Sequence, residues 1–421
     1  MQQLVNTLLL WSTASEVLTR VLRIISWILL AKFLGPSEFG TFSYFFAATG
    51  AMFSAVDLGV NQAIQLKIFS KNNDKNILNY CICKAVLNLT GIILFSLYCI
   101  FQNYAKNKLL IALCLMLVLM MQDSYGIVSA YLRSQKKFAA DFTIKSIWAL
   151  FSSASLCGGA FLTTKTDKTA FIYFICSLTL VPLSSYTLKN VKRPKLKKVL
   201  VLFKNIKKTS IKFWFVGMFT TLFANIDIFV AHKYTDNSSL GLYAAAQKII
   251  FVAQLPAAIA SQVIVQAFAA DIYRKNHEWV KKLYYLSGIL CILSLSFSAV
   301  FFFYSSFIVN ICFNENYSVS ALCLKQMAYG LIGLFFYPMF STLLLLLHKF
   351  KSYIIISTLL AGIIYIIMLN NVYNHGIVGV ANSHSLANLI LAVSYGAVIV
   401  FEINKQKYKS NLFPAFVPEK S

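Results

Sequence analysis

The feature that most constrains this chain is a ladder of about twelve apolar segments separated by short loops. Read as helices of about 17–25 residues, these segments are long enough to cross the hydrocarbon core of a bilayer. Only helices and closed barrels satisfy the backbone in lipid, and continuous apolar runs lack the alternating pattern of barrel strands. We therefore predict an all-α integral membrane protein with spans near 8–34, 41–66, 79–101, 107–131, 142–162, 168–188, 211–234, 240–268, 281–304, 323–347, 353–372 and 377–402.

The composition agrees with this prediction and limits the partners. The 421 residues are 58% hydrophobic and only 12% charged, with a formal net charge of +24. These values are typical of a polytopic membrane protein. A large positive charge on a soluble domain would suggest nucleic acid, but most of the 38 lysines and arginines lie in loops beside apolar spans. Retention of positive loops in the cytoplasm explains them, so we predict no nucleic-acid partner.

The basic residues also predict the topology and the domain boundaries. Basic and charge-poor loops alternate along the chain, which places both termini in the cytoplasm. Residues 1–6 carry no basic segment typical of a removable signal, so the first helix is expected to be retained. The longest basic stretch divides the chain into an N-terminal bundle, a cytoplasmic linker, a C-terminal bundle and a basic cytoplasmic tail, at 1–188, 189–210, 211–402 and 403–421.

A short internal echo supports two related halves. Residues 39–42 (Phe-Gly-Thr-Phe) open the second span, and residues 240–243 (Leu-Gly-Leu-Tyr) open the eighth. A short polar loop precedes both. Because each half has an even number of spans, the two halves share one orientation and are expected to be parallel repeats. The predicted architecture is two six-helix bundles around a central cavity, with the substrate site between them.

Charged side chains inside the apolar spans indicate where that site lies. Exposing eight such groups to lipid at roughly 3 kcal/mol each would cost on the order of 20 kcal/mol, more than the ~5–15 kcal/mol stability typical of a folded protein. Most of them must therefore face a wet cavity or one another. The eight are Glu16, Arg20, Arg23, Asp57, Lys84, Asp123, Asp227 and Lys248.

Several of these charges belong to polar stripes at helical spacing. The stripe of the first span is Ser12, Glu16, Thr19, Arg20 and Arg23, and that of the second is Gly50, Ser54, Asp57, Asn61 and Gln65. The eighth span carries Tyr243, Gln247, Gln254 and Ser261 with Lys248 beside them, and the twelfth carries Asn382, His384 and Asn388. The predicted substrate-binding set is Arg20, Arg23, Asp57, Asn61, Lys84, Asp123, Asp227, Gln247 and Lys248.

Structural alternatives remain open at most of these positions. Glu16 and Arg20 are spaced to neutralise each other. Lys84 either faces the cavity or extends to the cytoplasmic interface. Asp123 is a potential interhelical partner for Lys84 or Arg133. In the same way Asp227 could brace the halves, and Lys248 could reach only the outer interface.

The two arginines of the first span point to an anionic substrate. Arg20 and Arg23 lie too far from either end of the span for both to reach water easily, and guanidinium groups bind phosphate in a bidentate manner. We find no phosphate-binding loop for nucleotides, no metal-ligand spacing and no outer loop long enough for a catalytic domain. The sequence therefore predicts a non-enzymatic transporter without a cofactor.

Three runs of sequence resemble those of bacterial polysaccharide-repeat-unit flippases. These are residues 31–40 (AKFLGPSEFG) followed by Asp57-Leu58-Gly59, residues 225–227 (NID) with 241–248 (GLYAAAQK), and residues 376–382 (GIVGVAN). The family comprises the O-antigen and capsule (Wzx-like) transporters of the superfamily that includes multidrug MATE exporters. The resemblance implies alternating access and a substrate of undecaprenyl-pyrophosphate-linked oligosaccharide, moved between the leaflets of the bacterial inner membrane. It transfers no individual ligand residue.

The resemblance also implies partners. Membrane lipid surrounds the lipid tail of the substrate, a polysaccharide polymerase is expected downstream, and an acid such as Asp57 or Asp227 is a candidate carrier of a coupling H⁺ or Na⁺. Two alternatives stay open. One is an ion-coupled drug or metabolite antiporter of the same superfamily, which would favour an acidic cavity. The other is a membrane polymerase or glycosyltransferase, which would need a larger outer loop.

Overall fold

The computed structural model describes residues 2–71, 77–188, 196–273 and 278–412, and every regular element in these ranges is a helix. The apolar segments form helices because the backbone can satisfy its hydrogen bonds in lipid only within itself. The helices are α1 Gln2–Asp57, α2 Val60–Lys71, α3 Ile77–Phe101, α4 Lys106–Ser134, α5 Phe138–Thr163, α6 Thr166–Ser177, α7 Leu180–Thr187, α8 Leu196–Tyr234, α9 Asn237–Tyr273, α10 Glu278–Phe303, α11 Ser305–Cys312, α12 Ser318–Ala328, α13 Leu331–Leu346 and α14 Phe350–Leu412, with a short 3₁₀ turn at Glu315–Tyr317.

Two glycines convert the longest helices into pairs of spans. Gly35 in α1 has φ 75° and Gly376 in α14 has φ 56°, a left-handed region that costs glycine little. Eight described helices are long and apolar enough to span a membrane, and nine when the bent pair Glu315–Ala328 and Leu331–Leu346 is counted as one. With α14 counted as two spans and the two limbs of α1 added, the chain has about twelve spans, as the apolar ladder predicts.

The surface and the predicted linker also follow the sequence pattern. Large apolar side chains such as Phe101, Leu162 and Val393 are more than two-thirds exposed, which is the surface that a bilayer covers. Helix α8 begins at Leu196, inside the stretch predicted as a linker, and α14 continues into the predicted tail as far as Leu412. The first part of the linker, 189–195, lies outside the described residues.

The two echoed glycine motifs contact each other at the predicted outer end. A side chain on Gly40 would collide with the backbone of Asn237, and one on Gly241 would collide with the backbone carbonyl of Pro36. The backbones of the two motifs are therefore in direct contact, with no side chain between them. Asp236 supports this junction because its carboxylate accepts the backbone N–H groups of Ser238 and Ser239 at the start of α9.

A second junction joins the halves at the predicted inner end. Helix α1 stops at Asp57, where Leu58 and Gly59 both adopt positive φ, 51° and 67°. A side chain on Gly59 would collide with the backbone of Ser210 and Trp214 in α8. The indole Nε1 of Trp214 also donates to the carbonyl of Ala55, 2.9 Å away. The cavities described next lie between the bundles, in the space that these two junctions leave open.

Candidate functional site

A cavity of about 430 Å³ lies between α1 and α9, at the boundary of the two bundles. Four cationic side chains line it: Arg20 and Arg23 from α1, Lys145 from α5 and Lys248 from α9. None of the described residues that line it is an aspartate or a glutamate. The rest of the lining is mainly apolar and includes the aromatic rings of Trp27, Phe46 and Phe251. Positive charge that no described lining carboxylate offsets attracts an anion.

Arg20 and Arg23 lie where the polar stripe of the first span places them. Arg23 also lines a smaller neighbouring cavity with Gln122 and Tyr173, whose side chains are joined by a hydrogen bond of 3.3 Å. No described carboxylate lies within ion-pair distance of Arg23, so its guanidinium is available to a ligand. The side chain of Glu16 lies outside the described residues, and the predicted pairing of Glu16 with Arg20 stays a prediction.

Lys248 is held in the cavity by aromatic faces. Its Nζ lies 4.4 Å from the ring centroid of Trp27 and 4.9 Å from that of Phe251. The same ammonium donates to Oε1 of Gln247, 3.3 Å away. The cation–π contacts position the charge while leaving donors for a ligand. Lys248 therefore faces the cavity between the bundles, and the alternative of a side chain that reaches only the outer interface is wrong.

Lys145 is a cavity residue that the sequence analysis missed. It is not in the predicted substrate-binding set, yet it lies in the second turn of α5 and lines the cavity. Asp141, four residues earlier, accepts Arg133 Nε at 2.8 Å and Tyr125 Oη at 2.9 Å, and its Oδ2 lies 3.4 Å from Lys145 Nζ. The i, i+4 spacing of an acid and a lysine was the available signal. Arg133 thus pairs with Asp141 and not with Asp123.

Asp57, Lys84 and Asp123 form a second cluster within the N-terminal bundle. Lys84 is completely buried, and its ammonium contacts Oδ1 of Asp57 and, at 2.5 Å, Oδ2 of Asp123. Asn61 donates to the other oxygen of Asp123, and Gln65 donates to Asn61 at 3.1 Å. Lys84 does not extend to the interface, because two carboxylates on neighbouring helices hold its charge inside.

A second cavity, also of about 430 Å³, borders this cluster. It lies between α1, α4 and α8 and is lined by the carboxylates of Asp57 and Asp123, by polar side chains and by aromatic rings that include Trp214. Its charge is opposite in sign to that of the first cavity. We call the two the cationic cavity and the acidic cavity.

Asp227 centres a third cluster, within the C-terminal bundle. Its carboxylate is fully buried and accepts Tyr243 Oη at 2.5 Å, Gln247 Nε2 at 2.8 Å and the backbone N–H of Ile228 at 2.8 Å. His384 Nδ1 of α14 lies 2.9 Å from the same carboxylate. His384 lies on the polar stripe of the twelfth span, but helical spacing gives no link to Asp227 because the two residues are far apart in the chain.

The nine predicted site residues are therefore distributed over three places. Arg20, Arg23 and Lys248 share the cationic cavity, while Asp57, Asn61, Lys84 and Asp123 form the N-terminal cluster. Gln247 and Asp227 belong to the C-terminal cluster, and Gln247 connects it to Lys248. The polar stripe of the eighth span divides accordingly, since Tyr243 and Gln247 turn toward α8 while Lys248 and Gln254 line the cavity.

The N-terminal cluster gives a prediction about stability. Replacing Lys84 with Met leaves two buried carboxylates facing each other, and breaking a buried ion pair in this way costs about 3–5 kcal/mol. We expect the Lys84→Met protein to unfold at a clearly lower temperature in detergent than the native protein. The triple variant Lys84→Met, Asp57→Asn, Asp123→Asn removes the uncompensated charge and should recover most of the loss. Equal melting temperatures for the native and Lys84→Met proteins would contradict the ion-pair network.

The family of the chain follows from a match to its sequence. The family model described as "Polysaccharide biosynthesis protein" matches residues 8–270, which is more than half of the chain. The chain belongs to this family. A search of curated protein sequences found no match.

Solved structures show which fold this polysaccharide biosynthesis protein has. It is similar to the lipid II flippase MurJ in an inward closed conformation, with 17% identity, a TM-score of 0.72 and coverage of 96% of this chain and 91% of MurJ. It is also similar to a multidrug resistance MATE transporter in an inward-facing conformation (15% identity, TM-score 0.71, coverage 93% and 96%). A third similar structure is a MOP superfamily transporter from Pyrococcus furiosus described as having a binding pocket of reverse polarity. It has 14% identity, a TM-score of 0.68 and coverage of 96% of both chains.

These similarities show the fold: the chain folds like the MurJ, MATE and MOP superfamily structures along nearly its whole length. The chain is therefore a polysaccharide biosynthesis protein with the fold of the MurJ and MATE structures, which agrees with the family that the sequence resemblance implied.

Proposed function

We propose that the protein moves undecaprenyl-pyrophosphate-linked oligosaccharide repeat units from the inner to the outer leaflet of the bacterial cytoplasmic membrane. The pyrophosphate would bind in the cationic cavity, and the bundles would open alternately to the two sides. The lipid tail would remain in the bilayer during this cycle. Both termini would lie in the cytoplasm, and the product would serve the assembly of a surface polysaccharide such as O-antigen or capsule, with a polymerase acting next.

The observation that carries the proposal is the convergence of Arg20, Arg23, Lys145 and Lys248 on one cavity without a described lining carboxylate. A pyrophosphate has several negative oxygens, and each can accept a charge-assisted hydrogen bond from a guanidinium or ammonium group. Four cations from three helices line the cavity, and the Lys145 charge is shared with Asp141. A sugar alone would not need this excess of positive charge.

The two alternatives fit these residues less well. A drug antiporter that takes cationic apolar compounds would favour carboxylates that are free to bind a cation. The cationic cavity has no described lining carboxylate, and both carboxylates of the acidic cavity already contact the Lys84 ammonium. A polymerase or glycosyltransferase would favour an outer domain with several carboxylates. The segment between α10 and α12 instead consists of the eight-residue α11 and a single turn of 3₁₀ helix that contains Glu315.

The energy for transport would come from an ion gradient or from consumption of the product. The candidate carriers of a coupling H⁺ or Na⁺ are Asp57, in the N-terminal cluster, and Asp227, which contacts His384 in the C-terminal cluster. Asp227 connects to the cationic cavity through Gln247 and Lys248. This chain of contacts provides a route by which a change of charge at Asp227 would alter the affinity of the cavity for an anion.

A deletion strain tests the proposed function directly. We expect lipid-pyrophosphate-linked repeat units to accumulate on the cytoplasmic face and surface polymer to disappear, and expression of the native chain to reverse both changes. The measurement is mass spectrometry of extracted lipids together with the accessibility of the sugars from each face of membrane vesicles. Single units that reach the outer face and stay unpolymerised would indicate an enzyme that acts after transport. Normal surface polysaccharide would favour the antiporter.

A further inference from the structure

The acidic cavity has no role in binding the pyrophosphate, yet it lies beside the site where that group would bind. We propose that the acidic cavity binds hydroxyl groups of the sugars next to the pyrophosphate, so that one substrate occupies both cavities. This inference rests on the proposed function and assigns a binding site for the oligosaccharide part of the substrate.

The size of the acidic cavity suits a sugar ring better than an ion. At about 430 Å³ it falls in the range of small-molecule sites, about 300–1,000 Å³. Its walls combine the aromatic rings of Phe53, Phe213 and Trp214 with a few polar groups. Small-molecule sites of this composition use the apolar surface for contact area and the polar groups for orientation. The C–H faces of a sugar ring would lie against the aromatic rings.

The polar groups of the cavity match the hydrogen bonding of hydroxyls, which both donate and accept. Ser54 and Gln62 line the cavity, and neither side chain forms a hydrogen bond within the described part of the chain. Asp57 contacts Lys84 through Oδ1, which leaves its Oδ2 to accept a sugar O–H group. Gln62 supplies both a donor and an acceptor. A mixed set of this kind fits a hydroxyl-rich ligand and fits a bare anion poorly.

A metal cation is the main competing occupant, and the geometry argues against it. The Lys84 ammonium already lies between the two carboxylates, in the position that a bound cation would take. Asn61 occupies the second oxygen of Asp123. A hard cation would need several free oxygen ligands, and this cluster offers few of them. The three charges together leave one net negative charge, which hydroxyl donors can stabilise.

The two cavities are adjacent along α1. Phe46 lines the cationic cavity and Gly50 lines the acidic one, so one turn of helix, roughly 6 Å, separates them along the axis. A pyrophosphate and the sugar attached to it are joined by a single ester bond, so the two groups can occupy neighbouring cavities together. The second cavity would then add affinity for substrates that carry sugars.

The test compares two lipids on the purified protein in lipid nanodiscs. One is undecaprenyl pyrophosphate without sugars, and the other is the lipid-linked repeat unit extracted from the deletion strain. The variant is Ser54→Ala with Gln62→Leu, which removes two polar groups that line the cavity and form no hydrogen bond with another described group. The matched control is Ser296→Ala with Gln102→Leu, because both residues are exposed and distant from the cavities. Binding is followed by quenching of tryptophan fluorescence, since Trp27 and Trp214 line the two cavities.

We expect the native protein to bind the sugar-bearing lipid more tightly than the sugar-free one. The double variant should bind the sugar-free lipid as the native protein does and should lose about tenfold in affinity for the sugar-bearing lipid, the effect of about one net hydrogen bond. The control should match the native protein with both lipids.

The outcomes separate this inference from the proposed function. If the native protein fails to bind sugar-free undecaprenyl pyrophosphate, the anion site and the proposed function are wrong. If that lipid binds but sugars add no affinity, or the double variant keeps the added affinity, the sugar site is wrong and the anion site stands. A response of Trp214 fluorescence to Na⁺ in the absence of lipid would instead assign the acidic cavity to a cation; it is measured in a protein whose other four tryptophans are replaced by Phe.

Discussion

Reversing the charge of Arg23 should abolish export while leaving the protein inserted in the membrane. Arg23 lines the cationic cavity, and no described carboxylate neutralises it there. Loss of one charged hydrogen bond costs about 1.5–3 kcal/mol, and a glutamate adds repulsion of the pyrophosphate. We expect the Arg23→Glu protein to lose at least about 100-fold in export of repeat units, measured as surface polysaccharide in the deletion strain.

A control on the same helix separates the cavity from general effects of charge. Lys32 is exposed, lies on α1 and lines neither cavity. The Lys32→Glu protein should export at nearly the native rate and reach the same level in the membrane as Arg23→Glu. Normal export by Arg23→Glu would show that the cationic cavity does not bind the anion. A loss of the same size in Lys32→Glu would indicate a requirement for positive charge along α1 and not at one site.

Closing the junction between the two glycine motifs should be required for transport. Gly241 contacts the backbone of Pro36, and a leucine there has no space. Because backbone atoms cannot yield as a flexible side chain does, the Gly241→Leu protein must separate the bundles at this end. We expect export to fall below about one per cent of the native level, since a transporter held open on one side cannot complete its cycle.

Spin labels measure the separation itself. Labels on Ser37→Cys and Ser239→Cys, placed in a variant without the native cysteines, should show strong dipolar broadening that disappears when Gly241→Leu is added. The matched control is Gly288→Leu, because a side chain at Gly288 would meet no neighbouring atom. It should keep both the broadening and the export. Broadening that persists in Gly241→Leu, with export intact, would show that this junction opens and closes without needing close backbone contact.

The polar stripes show how much helical spacing can predict about the contacts within the charged clusters. Periodicity places Asp57, Asn61 and Gln65 on one face of a single helix, but the helix breaks at Leu58 and Gly59. Gln65 contacts Asn61 and Asn61 contacts Asp123, whereas Asp57 joins them only through Lys84. The residues that contact this face lie on other helices, Lys84 on α3 and Asp123 on α4. Spacing describes a helix face but carries no information about the helix that packs on it.

Lys145 and His384, which are not in the predicted substrate-binding set, show the same limit of helical spacing. Lys145 was absent from the predicted site, although it lies within α5, which begins at Phe138, and lines the cationic cavity. His384 is an unremarkable polar residue of the last span until α14 packs on α8 and brings it to Asp227. In both cases the missing information was a contact between segments distant in the sequence.

The amino-acid sequence by itself determined the membrane class, the approximate spans and the pair of related glycine motifs. The spans follow from local chemistry, since lipid demands apolar helices. The structure added the breaks at Gly35 and Gly376, where a positive φ favours glycine. Only the tertiary structure decided that four cations share one cavity while the aspartates are held in two separate clusters. The physical reason is that the Coulomb energy of a buried charge depends on the distance to its partners in space, and helix packing sets that distance.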